Sequence, residues 1–123
     1  MHTIGLISDV HASPKPLQEA LSIFAAEQVD EIICVGDIAG YYDTLLPTIE
    51  LLEKYDCTSI LGNHDQSFLQ RQSSKIPSKA YQYLDALPVF LEFECEGKRC
   101  YVVHAHPPDA QHGGIKLLDQ QGE

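Results

Sequence analysis

Four short clusters of metal-ligating residue types occur along the chain, and each follows directly after a short apolar run. Parallel α/β sheets build their ligand sites at the carboxyl ends of strands, so the position of these clusters restricts the fold. The pattern predicts an α/β sheet that carries a metal site at one edge. The clusters are Asp9-Val10-His11, Gly36-Asp37, Gly62-Asn63-His64-Asp65 and His104-Ala105-His106.

The first half of the chain alternates between two kinds of hydrophobic pattern. Short, continuous apolar runs predict buried strands over residues 3–8, 31–35 and 58–61. Apolar residues at helical spacing predict amphipathic helices over residues 17–25 and 43–54. Strand, helix, strand, helix, strand in this order predicts a parallel sheet with right-handed connections.

The spacing of apolar residues changes in the second half of the chain. Residues 66–74 are polar and predict a loop or a short helix, and residues 78–87 predict a further helix. Residues 89–95 and 99–104 flank a glycine-containing turn and predict an antiparallel hairpin. The segment after residue 107 predicts no further strand.

Length and charge limit the classes of function. At 123 residues the chain is expected to form a single domain over residues 1–123. With 8 basic and 18 acidic residues its net charge is −10, which repels a phosphate backbone and argues against an extended nucleic-acid surface. Bound cations would reverse the field locally, so a small phosphate ester is not excluded.

The N-terminus has no basic region and no apolar run of membrane-spanning length, which predicts a cytoplasmic protein without a membrane partner. The four cysteines show no Cys-x-x-Cys spacing. We therefore expect buried, reduced thiols rather than disulfides or a thiolate metal site.

The four clusters together are stronger evidence for a metal site than any one of them alone. An isolated Asp9-x-His11 pair is more simply explained as a turn cap beside a surface histidine. Three parallel strands, however, would bring Asp9, Asp37 and Asn63 to one edge of the sheet. A carboxylate between two cations can bridge them at roughly 3.5–4 Å, and Asp37 is the best candidate for that bridge.

With these motifs, the sequence resembles the calcineurin-like metallophosphoesterases, particularly the small bacterial and archaeal phosphodiesterases of that superfamily. The family pattern is D-x-H, GD, GNH(D/E), a further H, and GHxH, and residues 3–106 carry its first four elements. The resemblance implies an αββα sandwich of two mixed sheets. Here the parallel βαβαβ half would form the first sheet, and the hairpin would open the second.

The resemblance also implies an activity and a set of roles. The expected activity is hydrolysis of a small phosphoester, more specifically a phosphodiester, by a hydroxide that two divalent cations activate; Mn, Fe, Ni and Zn are the candidates. His64 would act near the phosphoryl group as a catalytic acid or electrostatic stabiliser. The expected metal ligands are Asp9 and His11 for one cation, Asp37 as the bridge, and Asn63 and His104 for the other.

The last cluster departs from the family pattern. Ala105 follows His104 where the family usually has glycine, and no GHxH follows. The cluster could itself be GHxH, but its position after the hairpin favours His104 as the earlier single histidine, with His106 as an extra ligand or near-site residue. On this interpretation the domain is C-terminally shortened, and the sheet edge it exposes predicts a homo-oligomer.

A second interpretation of function stays open at this level. A degenerate or truncated member could bind one metal or none and serve as a metal-binding or oligomeric interaction module without catalysis. Substrate specificity would depend on loops such as residues 40–43 and 66–75, whose aromatic and basic side chains are available for stacking and for contact with an anion. Each of these side chains is more simply explained as a solvated or packed loop residue.

Overall fold

The computed structural model describes residues 1–40, 44–72 and 78–105. Helices and strands alternate through the first half of the chain, and a strand pair is the last element of the described residues, as the hydrophobic patterns predict. The elements are β1 (Ile4–Ile7), α1 (Pro14–Ala26), β2 (Glu31–Cys34), α2 (Leu45–Lys54), β3 (Thr58–Ser59), α3 (Asn63–Gln72), α4 (Lys79–Asp85), β4 (Phe90–Cys95) and β5 (Lys98–Val103).

The first three strands form a parallel sheet in the order β1-β2-β3. Ile4 lies opposite Glu31 and Ile7 opposite Cys34, so β1 and β2 are in register along their whole length. Because the strands are parallel, the loops that follow them emerge at one edge. The predicted parallel βαβαβ arrangement is confirmed.

The apolar faces of α1 and α2 pack on the sheet and form the core. Gly5 in β1 lies so close to the Phe24 ring of α1 that a Cβ at this position would be 2.9 Å from it. The core therefore depends on a small residue here. Its fully buried side chains include Leu21, Cys34, Ile38, Ile49, Leu52 and Leu84.

The strands β4 and β5 form the predicted antiparallel hairpin, with Phe93 opposite Cys100. Hydrogen bonds hold its two ends to the rest of the protein. At the site end, the Leu61 amide donates to the Pro88 carbonyl at 2.8 Å. At the turn end, the His2 amide donates to the Glu96 carboxylate at 2.7 Å. The hairpin is therefore fixed along the parallel sheet, and His104 follows directly after β5.

The structure corrects two details of the sequence prediction and, in a third, selects one of the two predicted alternatives. The third strand has two residues rather than the four of residues 58–61. The polar residues 66–72, predicted as a loop or short helix, belong to the helix α3, which begins at Asn63. Of the four thiols, all unpaired, only Cys34 is fully buried, whereas the other three are partly exposed. Side chains alternate between the two faces of the hairpin, and the face that carries Cys95 and Cys100 is only half-buried. This explains the partial exposure of both cysteines.

Among the described residues, no helix combines the length and the apolar character that a membrane crossing requires.

Candidate metal centre

The loop after β1 is held against the loop after β2 by backbone hydrogen bonds. The amides of Asp9, His11 and Ala12 donate to the carbonyls of three consecutive residues, 36 to 38, at 2.7–3.0 Å. Asp9, His11, Ala12 and Asp37 all have left-handed backbone angles, with φ between 48° and 57°. Such angles cost about 1–2 kcal/mol per residue and concentrate at functional sites. The paired loops thus hold a strained geometry that neither would adopt alone.

Asp37 lies at the centre of the convergent side chains and is only 3 % exposed. Its Oδ1 accepts a hydrogen bond from the His64 amide at 2.9 Å. Its Oδ2 lies 3.3 Å from Nε2 of His104, 3.9 Å from Nε2 of His11 and 4.0 Å from Nε2 of His64. One carboxylate oxygen therefore lies within 4.0 Å of three imidazoles, which come from the loop after β1, the start of α3 and the end of β5.

The backbone of Val35, the residue that follows β2, orients the His104 ring. Its Nδ1 lies 2.7 Å from the Val35 carbonyl, which can only accept, so Nδ1 carries a proton. In the neutral ring Nε2 is then an acceptor, yet it faces Asn63 Oδ1 at 3.0 Å and Asp37 Oδ2 at 3.3 Å. Three acceptor atoms pointing at one another repel unless a second proton on the ring or a cation lies among them. This donor set fits a divalent metal ion.

His11 is oriented in the same manner, since its Nδ1 lies 3.3 Å from the Ala39 carbonyl. Its Nε2 is 3.5 Å from Asp9 Oδ1, and its ring packs edge-on against His64 with centroids 4.8 Å apart. The donor atoms form two groups, each with all its atoms within 4.8 Å of one another. These groups are His11, Asp37 and His64, and Asp9, Asp37 and His104.

The structure thus brings together all six residues that the sequence assigns to the centre within the described residues. Asp37 belongs to both groups, which is what a bridging ligand requires. Asp9 is close to His104 in one group and also close to His11, its predicted partner at the same cation, with 3.5 Å between Oδ1 of Asp9 and Nε2 of His11. The individual roles of these residues stay predictions. His106 lies outside the described residues.

Three glycines allow the loops to approach this closely. A Cβ at position 36 would lie 2.9 Å from Nδ1 of His104, and one at position 40 would lie 2.5 Å from Cβ of His11. At position 62 the clash would be with Asp37 itself. Gly36 also has a φ of +96°, which favours glycine. The close approach at Gly40 was not anticipated from the sequence, because Gly40 belongs to none of the motifs.

Asp65 is a second residue that the sequence singled out only as the end of a motif. It is fully buried, and its carboxylate accepts hydrogen bonds from the Ala39 and Gly62 amides. Burial raises the pKa of Asp65, while these backbone hydrogen bonds lower it, and burial is the larger effect. Its signal in the sequence is its position three residues after Gly62, which is typical of a side chain that caps its own helix.

The loops predicted to contact substrate are described only in part. Arg71 lies exposed in the last turn of α3. Residues 41–43 and 73–77, with Tyr41, Tyr42 and Lys75, lie outside the described residues.

Sequence comparison agrees with this geometry. The family model described as the calcineurin-like phosphoesterase superfamily domain matches residues 2–121. The chain belongs to this superfamily. The assignment made from the motifs is therefore confirmed, and so is the predicted fold class, since the mixed α/β fold matches solved metallophosphoesterases.

Two solved structures resemble the chain over part of their own length. A metallophosphoesterase from Sphaerobacter thermophilus is similar with a TM-score of 0.73 and 27 % identity, over 93 % of this chain and 51 % of that one. A hypothetical protein from Pyrococcus horikoshii shares the fold with a TM-score of 0.70 and 18 % identity, over 98 % of this chain and 61 % of that one.

Among curated proteins, an uncharacterized protein from Methanocaldococcus jannaschii is 29 % identical over 120 residues, which cover 85 % of this chain and 49 % of that protein. The chain thus spans about half the length of the curated relative it matches.

Proposed function

We propose that the chain is a metal-dependent phosphoesterase that acts on small phosphodiesters with two divalent cations. The observation that carries the proposal is the position of Asp37, whose carboxylate belongs to both donor groups. Membership in the calcineurin-like phosphoesterase superfamily supports the same reaction class.

The residues present fit such cations in chemistry and in orientation. Carboxylate, amide and imidazole donors suit Mn, Fe, Ni and Zn alike. The Nδ1 atoms of His11 and His104 are turned to backbone carbonyls, so that each Nε2 faces Asp37. When bound, two cations would supply Lewis acidity and lower the pKa of water toward neutrality.

The exposure of Asp37 and of His64 indicates which role each side chain can take in the reaction. Asp37 is sealed from solvent and fixed by the His64 amide, so it can only hold and orient. The His64 side chain is 34 % exposed and can reach a bound phosphoester. We assign to it the proton donation or charge stabilisation at the departing oxygen.

Charge supports a diester rather than a monoester as substrate. The chain has a net charge of −10, and Asp9, which is half-exposed, lies at the mouth of the centre. A phosphodiester carries one negative charge, whereas a monoester approaches two at neutral pH, so the acidic surroundings repel the diester less.

The alternative is a degenerate or truncated interaction module that binds one metal or none, and the lack of a GHxH element favours it. Against this alternative, the donor atoms in the described residues converge, because those of each group lie within 4.8 Å of one another and Nε2 of His104 lies 3.0 Å from Oδ1 of Asn63. We therefore favour the enzyme.

The deciding experiment combines metal content with turnover of a chromogenic aryl phosphodiester and the matching monoester. With Mn²⁺ added, we expect two metal ions per chain and faster turnover of the diester. Asp37→Asn should abolish both properties, and His64→Ala should lose turnover while keeping metal. Asp85→Asn, at an exposed acid on α4, is the matched control and should change neither. A metal-loaded but inert chain would favour the interaction module.

A further inference from the structure

Asp65 is a buried carboxylate that belongs to neither of the donor groups. It has no exposed surface, and it lies in the first turn of α3, next to His64 in sequence. Burying a carboxylate is unfavourable unless it is well hydrogen-bonded. The hydrogen bonds that compensate Asp65 connect it to two loops of the metal centre.

The first of these connections is local. Oδ2 accepts from the Gly62 amide at 2.9 Å, which is the hydrogen bond of a residue that caps the start of its own helix. This bond fixes the turn from which Asn63 and His64 project. A residue with a single acceptor oxygen could form it alone.

The second connection reaches across the sheet edge. Oδ1 accepts from the Ala39 amide at 2.7 Å, in the loop that follows β2. The carbonyl of the same Ala39 in turn lies 3.3 Å from Nδ1 of His11. Asp65 therefore holds the residue whose carbonyl sets the orientation of the His11 ring.

We propose that Asp65 is a positioning residue of the metal centre, which fixes the tautomer and the orientation of His11 through Ala39 while it fixes the Asn63-His64 turn through Gly62. Both oxygens are needed for this role. An asparagine would keep one oxygen and present an amide N–H to a backbone N–H at the other position. The predicted effect on metal affinity rests on the proposed function, whereas the effect on the His11 ring does not.

The test begins with the metal-free protein. Ring ¹⁵N NMR spectra at a pH of about 8.5, where ordinary imidazoles are neutral, report the tautomer of each histidine. In the unaltered chain we expect His11 and His104 to be protonated at Nδ1. In Asp65→Asn, His11 should lose this preference. His104 should keep it, since Val35 rather than Ala39 holds its ring, and it is thus an internal control.

Metal binding gives the second measurement. Co²⁺ titration, followed by its visible absorption, should show affinity about ten- to hundredfold weaker in Asp65→Asn, with an altered band. Leu52→Ala removes a fully buried leucine of α2 away from the centre. It should lower the melting temperature of the metal-free protein and leave the His11 tautomer and the Co²⁺ spectrum unchanged.

With Asp65→Asn and Leu52→Ala in hand, two outcomes would overturn the proposal. One is an Asp65→Asn protein that melts earlier but keeps the His11 tautomer and the Co²⁺ affinity of the unaltered chain. The other is a Leu52→Ala protein that changes both, because general loosening would then explain the effect. If Asp65→Asn does not fold, Asp65→Ser retains one oxygen for Gly62 and none within reach of Ala39, and an unchanged His11 in that variant refutes the proposal. If no Co²⁺ binds to any variant but the His11 tautomer still shifts, the proposed function fails and the positioning role stands.

Discussion

Gly62 contacts Asp37 backbone to backbone: a Cβ atom placed on Gly62 would lie 2.3 Å from both the amide nitrogen and Oδ1 of Asp37. Real Cβ atoms do not approach other atoms this closely, so the loop after β3 and the loop after β2 can meet only through a glycine. The His64 amide that donates to Asp37 Oδ1 belongs to the same contact. The shape of the centre therefore depends on an absent side chain.

The first prediction concerns this contact. In Gly62→Ala the two loops must move apart, because the clash is with backbone as well as with the carboxylate. We expect a loss of about 1–3 kcal/mol in the free energy of unfolding, as for other overpacked sites, and at least tenfold weaker Mn²⁺ binding. Urea unfolding and calorimetric titration measure the two effects.

Gly97→Ala is the matched control for Gly62→Ala. Gly97 has a φ of +78° in the hairpin turn, but a Cβ there would meet nothing within 4 Å. Gly97→Ala should lower the free energy of unfolding through backbone strain alone and leave Mn²⁺ binding unchanged. Equal metal affinity in Gly62→Ala and the unaltered chain would show that the contact with Asp37 is dispensable.

The positions of the ligands were predictable from the sequence because they follow from topology. Buried strands ending in Asp9, Asp37 and the Asn63 cluster must bring these residues to one edge once the sheet is parallel. The left-handed backbone angles at Asp9 and His11 were not predictable, since they leave no periodic signal.

The supporting residues were harder to predict for a related reason. Ala39 acts through its backbone amide and carbonyl, which any residue possesses, so its side chain carries no signal. Asp65 caps a helix in a polar segment, residues 66–72, for which the sequence predicts either a loop or a short helix. Hydrophobic periodicity detects packing faces, whereas these contacts are made by backbone atoms.

The second prediction concerns metal removal. Asp9 and Asp37 lie close together at the centre, and a cation between them relieves their repulsion in the folded state alone. Saturating Mn²⁺, at about a hundred times its Kd, should therefore stabilise the chain by roughly 2.7 kcal/mol, and a chelator should reverse this. Thermal melts with and without chelator measure the effect. Asp37→Asn should show no shift, and a similar shift in that variant would place the metal elsewhere.

The third prediction concerns alkaline pH. Burial raises the pKa of the Cys34 thiol from its ordinary 9.0 to about 12. Between these values the unfolded chain has lost the proton and the folded chain keeps it, so stability is fully present below pH 9 and falls as the pH rises toward 12. Cys34 should contribute a slope of about −1.4 kcal/mol per pH unit within this window.

Urea unfolding at pH values of about 8, 9 and 10 measures this slope. Cys34→Ala should make the decline with pH shallower even though it loses some packing. Cys100→Ala, at a partly exposed cysteine of β5, should leave the decline as steep as in the unaltered chain. If Cys34→Ala and the unaltered chain decline in parallel, the Cys34 thiol does not govern alkaline stability.

The fourth prediction concerns association. We propose that the chain forms a homo-oligomer through the outer face of the hairpin. On this face the rings of Phe90 and Tyr101 are 5.5 Å apart and 43 % and 47 % exposed. Within the described residues, β4 and β5 pair only with each other, so the hairpin also offers strand edges to a second copy.

Light scattering after size exclusion, over a dilution series, tests this association. Phe90→Glu places a charge on the proposed interface and should shift the chain toward the monomer at concentrations where the unaltered chain is associated. Ile23→Lys changes an equally apolar side chain, 60 % exposed on α1, and should leave the assembly intact. A chain that is monomeric at every concentration contradicts the oligomer itself. Dissociation by Ile23→Lys and not by Phe90→Glu would move the interface from the hairpin to α1, because each substitution perturbs only the surface on which it lies.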